Sequence, residues 1–87
     1  MQALLDQFLD YIALERGLSD NTRAAYSNDI SSFIAYLRTK SVDSANAVRR
    51  PHIMAYLMAL KDQGLSTNSI SRRLVAIKVF FRYLQQE

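Results

Sequence analysis

Apolar residues recur every three to four positions along four separate stretches of this chain. The first stretch carries Leu4, Phe8 and Ile12, with Leu5 and Leu9 beside them. That period sets them on one side of a helix and predicts an element over about residues 3–16. The second carries Thr22, Tyr26, Ile30, Phe33 and Leu37 and predicts a helix ending near Arg38–Lys40, where cations suit the negative helix terminus. Ile53, Leu57 and Leu60, with Tyr56 adjacent, form the inner stripe of a third helix. Ile70, Leu74, Ile77, Phe81 and Leu84 form that of a fourth. No segment alternates with period two over a useful length, so the fold class is all-α.

The polar punctuation between the stripes repeats. Gly17-Leu18-Ser19-Asp20-Asn21-Thr22 returns 47 residues later as Gly64-Leu65-Ser66-Thr67-Asn68-Ser69, and Ile30, Phe33, Tyr36 and Leu37 return as Ile77, Phe80, Tyr83 and Leu84. In each copy Gly closes one helix, Leu packs over the joint and Ser caps the next helix. Residues 39–50 form the one long connection, polar through Ser41, Asp43, Ser44 and Asn46, with Val42, Ala45 and Val48 as anchors. Pro51 then opens helix three, where its missing N–H costs nothing. Short joints within each pair and a longer one between them predict a compact four-helix bundle of two helical hairpins.

Eighty-seven residues suit a single domain spanning 1–87, able to bury roughly 60–65% of its unfolded surface. The absence of cysteine excludes disulfide staples and thiolate metal sites. No apolar run approaches ~18 residues, so no membrane partner is expected. Net charge is only +3, but it is unevenly placed. Residues 1–15 hold Asp6, Asp10 and Glu15 and no cation, whereas residues 64–86 hold Arg72, Arg73, Lys78 and Arg82 and no acid. A basic C-terminal helix suits a polyanion partner, and it equally suits a solvated face.

The outer faces sharpen this. Opposite the stripe of helix four the spacing places Asn68, Ser69, Arg72, Ala76, Val79 and Tyr83, with Arg73 at the edge. Amides, hydroxyls and guanidinium groups bond phosphate oxygens and purine edges, and a small residue at 76 lets a helix approach a groove. Lys78, Arg82 and Ser71 project from another side. Opposite the stripe of helix two lie Asn21, Ala24, Asn28, Ser31, Ser32 and Ala35, while Asp29 sits nearer the core. A small, polar, anion-free face suits contact with DNA, and also packing against another subunit.

Other chemistry finds little support. His52, the one histidine, follows Pro51 at a helix start and is expected to be exposed or to cap. The tyrosines fall on or beside the stripes, which assigns them to packing, and Met54 and Met58 are expected in core or hairpin packing. The two glycines each end a helix, so there is no phosphate-cradling loop. No metal, no cofactor and no catalytic residue is expected.

A run of residues resembles a known family. Phe8-Leu9-Asp10-Tyr11-Ile12, Glu15-Arg16-Gly17-Leu18-Ser19, Asn21-Thr22, Tyr26, Asp29-Ile30 and Phe33 resemble the opening of tyrosine site-specific recombinases and phage integrases, the Xer type above all. Tyr56-Leu57, Leu60, Gly64-Leu65-Ser66, Ser69-Ile70, Arg73-Leu74, Ala76-Ile77-Lys78, Phe80-Phe81 and Tyr83-Leu84 extend the resemblance across the chain. It implies a SAM-like core-binding domain, whose second and fourth helices lie against double-stranded DNA while a C-terminal catalytic domain closes the clamp. By position, the implied DNA contacts are Asn21, Thr22, Ala25 and Asn28 on helix two and Asn68, Ser69, Arg72, Arg73 and Lys78 on helix four. Ala24 and Ala25 are small where relatives carry longer side chains, which assigns helix two to shape more than readout.

The family's catalytic Arg, Lys, His-x-x-Arg and Tyr nucleophile belong to the catalytic domain, which is expected to lie outside residues 1–87 of the parent chain. These residues alone are therefore expected to cleave no strand. The implied partners are duplex DNA at a recombination core site, the catalytic domain of the same chain and other recombinase subunits. The implied location is the cytoplasm, at the nucleoid. The rival reading is a helical protein–protein interaction module using the Met54/Met58 side or the Ala/Ser face of helix two.

Overall fold

A computed structural model of the chain describes residues 1–86, with Gln86 described by its backbone alone. Four helices follow the four stripes: α1 (Gln2–Arg16), α2 (Asp20–Thr39), α3 (Arg50–Asp62) and α4 (Thr67–Gln86). A single 3-10 turn, Ala45–Ala47, interrupts the long connection, and no strand occurs among the described residues.

Each joint is built as its residues dictate. Gly17 ends α1 in the left-handed conformation at φ 58°, and Gly64 follows α3 at φ 92°. Ser19 Oγ accepts the Thr22 N–H at 3.2 Å, and Ser66 Oγ accepts the Ser69 N–H at 3.2 Å. Both cap hydroxyls also donate to the hydroxyl three residues on, Ser19 to Thr22 Oγ1 at 3.0 Å and Ser66 to Ser69 Oγ at 3.1 Å. α3 starts one residue before Pro51. There His52 caps, its Nδ1 accepting the Arg49 N–H at 2.8 Å.

The end of α2 has no glycine to signal it. Ser41 takes the left-handed conformation instead, at φ 60°. Its N–H bonds Arg38 O at 3.0 Å, and the next N–H, of Val42, reaches back to Leu37 O at 2.9 Å. This arrangement satisfies two orphan carbonyls while Val42 drops into the core. An L-residue there costs about 1–2 kcal/mol. Ser41→Gly relieves that cost and loses part of the gain to unfolded-chain entropy. A net stabilisation of about 0.5 kcal/mol is expected, read as a rise of a few degrees in Tm; a fall would show that the Ser41 side chain matters more than its backbone.

The core divides in two around the α2–α4 pair. Leu5, Phe8, Leu9 and Ile12 of α1 pack with Ile30, Ile34, Ala76, Phe80 and Tyr83. Tyr56 and Leu60 of α3 and Val42 pack with Phe33, Leu37 and Ile77. α1 and α3 do not touch each other. The repeat explains the division. Ile30 faces its hairpin partner α1 and its counterpart Ile77 faces α3, while Phe33 crosses to α3 and Phe80 crosses to α1. Equivalent residues thus play equivalent parts in two hairpins packed on each other.

Three sequence expectations fail. Ala76, Val79 and Tyr83 were expected outside, yet Ala76 is 2% exposed, Tyr83 is buried, and Val79 packs half-buried against the α1-side core. The reason is that α4 is gripped by α1, α2 and α3 together, so its buried arc is wider than one stripe. Conversely, Met54 and Met58 were expected inside and are 50% and 59% exposed. α3 packs only on α2 and α4, which leaves its far side to solvent. Thr22, placed on the inner stripe by spacing, lies exposed in the first turn of α2.

Candidate nucleic-acid interface

Asp29 is the one buried charged side chain among the described residues, at 2% exposure. It sits where α2 meets α4, at the position equivalent to Ala76 in the repeat. A carboxylate there demands cations, and α4 supplies two. Arg72 donates from Nε to Asp29 Oδ2 at 3.1 Å and from Nη2 to Oδ1 at 3.0 Å, a bidentate pair. Arg73 brings its Nε to 3.9 Å from Oδ1, too far for a hydrogen bond, and donates from Nη1 to the Tyr56 hydroxyl at 3.0 Å.

The two adjacent arginines therefore differ in role. The Arg72 side chain is 59% exposed, whereas that of Arg73 is 22% exposed. Arg73 ties α4 to α3 and backs the carboxylate from inside. Arg72 holds one edge to Asp29 and presents the remainder to solvent. A half-exposed pair of this kind adds modest stability and mainly fixes geometry.

Beside Arg72 is a depression of about 320 Å³ lined by Thr22, Ala25, Tyr26 and Asp29 of α2 and Arg72, Val75 and Ala76 of α4. Its walls are mostly methyl groups and a ring face. Tyr26 is held by edge-on packing against Phe8, with centroids 6.2 Å apart. α1, which carries Asp6, Asp10 and Glu15, contributes nothing to this depression. Asp10 is engaged by Arg23 of α2 at 2.7 Å, an exposed pair worth little by itself.

Of the nine positions singled out in the sequence, Thr22, Ala25 and Arg72 meet in this depression. Asn21, Asn28 and Asn68 are exposed, the first and last at equivalent places in the first turns of α2 and α4. Ser69 is half-buried and engaged with its cap. Arg73 sits in the α3–α4 seam. Lys78 lies apart, with Arg82 and Gln85 around a shallow area over Ile53, Ile77 and Phe81. Three residues the sequence did not single out complete the site: Tyr26 and Val75 as walls and Tyr56 as the anchor of Arg73. Asp29 had a visible signal, an acid on the buried side of α2 facing a basic helix.

No group of three or more His, Asp or Glu able to hold a metal ion occurs among the described residues. None of their helices is long and apolar enough to cross a membrane.

Residues 5–87 match the phage integrase N-terminal SAM-like domain. The chain belongs to that family. Its curated relatives include tyrosine recombinase XerC of Herpetosiphon aurantiacus, 44% identical over 98% of this chain and 28% of the relative. Tyrosine recombinase XerD of Pseudomonas putida is 44% identical over 97% of this chain and 28% of the relative. Tyrosine recombinase XerD of Oceanobacillus iheyensis is 34% identical over the whole of this chain and 30% of the relative. The chain thus spans less than a third of the length of the curated relatives it matches. No solved structure matches it. The SAM-like assignment agrees with the four-helix architecture, and it places this phage-integrase-type domain among Xer-like tyrosine recombinases.

Proposed function

We propose that this SAM-like domain grips duplex DNA at a recombination core site, with the α2–α4 face against the duplex, for strand exchange catalysed by another domain of the same parent chain. The observation that carries the reading is Arg72, a guanidinium fixed by a buried carboxylate yet open to solvent, beside a depression whose lining holds no exposed acid. Around it lie Asn21, Thr22, Asn28 and Asn68, short polar groups suited to phosphate and sugar oxygens. The N-terminal turn of α4, which carries no acid, adds the positive end of its helix dipole, whereas that of α2 is offset by Asp20. Arg73 serves from behind, holding Asp29 and so holding Arg72. Lys78 contacts the backbone only where the duplex bends round to α4's other side.

Family membership supports a role in site-specific recombination, and the relatives' names supply the reaction class. No residue of this chain is proposed to attack a phosphodiester, since the cluster at the α2–α4 face holds no nucleophile beside a base.

A second reading is favoured by α3. Met54 and Met58 border an apolar groove with Leu57, Leu65 and Ile70. We take this as a contact surface for protein, either the parent chain's catalytic domain or a neighbouring subunit. The two readings use different faces and are compatible.

Titrating a generic duplex into the isotopically labelled chain separates them. Amide shifts are expected in the first three turns of α2 and α4, weakening steeply with salt by about 0.9 in log K per log unit for each phosphate neutralised. Shifts confined to α1 and α3, or none, would refute the DNA-facing assignment.

A further inference from the structure

The α2–α4 depression has a composition that phosphate binding does not explain. A phosphate is held by hydrated cations and N–H groups, and its oxygens gain nothing from methyl walls. Here the cation stands at the rim of a surface made by Ala25, Tyr26, Val75 and Ala76. We propose that this site reads base edges in the major groove, Arg72 taking a guanine and the methyl-lined wall taking the C5-methyl of a neighbouring thymine. The inference rests on the α2–α4 face being the DNA face.

The guanidinium geometry supports the first half. Arginine has five N–H donors in a planar fork. Asp29 occupies the side edge, through Nε and one hydrogen of Nη2. What remains outward is the end edge, Nη1 and the second hydrogen of Nη2. Two parallel donors match the N7 and O6 acceptors of guanine, the commonest specific contact in the major groove. The buttress also removes rotamer freedom before binding, since Asp29 is itself buried and backed by Arg73 and Tyr56.

The wall supports the second half. Thymine is the one DNA base that presents a methyl group in the major groove, and Ala and Thr methyls are its usual partners. Ala76 forms a floor at the position where the other copy of the repeat has Asp29. Val75, half-exposed, stands where the other copy has Asn28. The repeat is thus broken at two positions of the depression, where α2 has Asn28 and Asp29 and α4 has Val75 and Ala76. Asp29 acts as a positioning residue, touching no base itself.

The test is affinity selection by the 87-residue chain from a library of random duplexes. Recovered sequences are expected to be enriched in a guanine next to a thymine. The best duplex is then resynthesised with deoxyuridine at that thymine, which removes only the methyl group, or 7-deazaguanine at that guanine, which removes only N7. Affinity is expected to fall about fourfold for the first and about tenfold for the second. Asp29→Asn is expected to shrink the guanine-to-deazaguanine ratio toward one, a pattern that mere unfolding, which lowers affinity for both duplexes alike, does not give. The base analogues leave the protein untouched, so they decide the matter even if that variant folds poorly. Binding to duplexes with no enriched step, or equal affinity for natural and modified duplexes, overturns base readout while leaving the DNA face intact. Failure to bind any duplex overturns the DNA face itself.

Discussion

Replacing Phe80 with alanine is expected to leave the chain largely unfolded at physiological temperature. Phe80 is fully buried on the α1 side of the core. Its ring packs edge-on against Phe8 with centroids 5.3 Å apart and against Phe81 at 5.2 Å. Truncating a buried phenylalanine costs about 3–5 kcal/mol, through lost transfer energy and the cavity left behind. A domain of this size holds only roughly 4–13 kcal/mol in total. The effect is amplified by topology, because Phe80 is one of the few α4 side chains that bind α1 to the α2–α4 pair. Far-UV circular dichroism on heating is expected to show Tm lower by about 15–30 °C. Phe80→Leu, which keeps most of the volume, is expected to cost less than half as much. A drop of only a few degrees for the alanine variant would mean that α1 contributes little to the cooperative fold.

The second expected result is a dissociation between neighbouring arginines. Arg72→Ala is expected to weaken duplex binding by the folded chain about tenfold or more, and also to lower Tm by about 5–20 °C, because it leaves the buried Asp29 carboxylate without a hydrogen bond. Arg73→Ala is expected to lower Tm by a similar amount while leaving duplex binding by the folded chain little changed. The Arg72 side chain is mostly solvent-exposed on the proposed DNA face, and its loss also removes both hydrogen bonds of the buried Asp29 carboxylate, with Arg73 Nε left 3.9 Å away. The Arg73 side chain is mostly covered and joins Tyr56 of α3 to the carboxylate between α2 and α4. Its loss orphans a buried hydroxyl and removes the inner support of a buried charge, a cost of about 2–3 kcal/mol. Fluorescence anisotropy with a labelled duplex and thermal melts of the same two variants read both quantities. If Arg73→Ala weakens DNA binding more than Arg72→Ala at equal fraction folded, the roles assigned from their exposure are reversed.

The remaining expectations bear on smaller effects. Ser41→Gly probes one backbone conformation, and the duplex titration probes which face meets the DNA. The modified bases separate readout of base edges from attraction to the backbone.

Much of this architecture is local and was legible in the order of residues. The four helices follow stripes of period 3.6, because a helix that cannot bury one side has no reason to persist. Ser19, Ser66, Gly17 and Gly64 set the joints because they meet backbone needs within three or four residues of themselves. The end of α2 near Arg38–Lys40 was legible as well, but not how the chain leaves it, since Ser41 adopts a glycine-like conformation that nothing in its identity announces. Family resemblance also came through, because it lies in the order and spacing of such local signals.

Which side of α4 is outside was not decided locally. Spacing offers one apolar stripe, but Ala76 and Tyr83 are inside because three helices close around α4 at once. Met54 and Met58 are outside for the converse reason, since α3 has neighbours on one side only. The same holds for the arginines: sequence placed both Arg72 and Arg73 near a basic face, and adjacent residues on a helix point about 100° apart. Only the packing of α2 and α3 against α4 turned one toward solvent and the other toward Tyr56. The sequence by itself determined the helices, their ends and a net of positive charge on the last of them, because those are matters of neighbours along the chain. The tertiary structure alone decided that Asp29 stands between the two repeats and aims Arg72, because a buried carboxylate takes its meaning from cations 43 and 44 residues away.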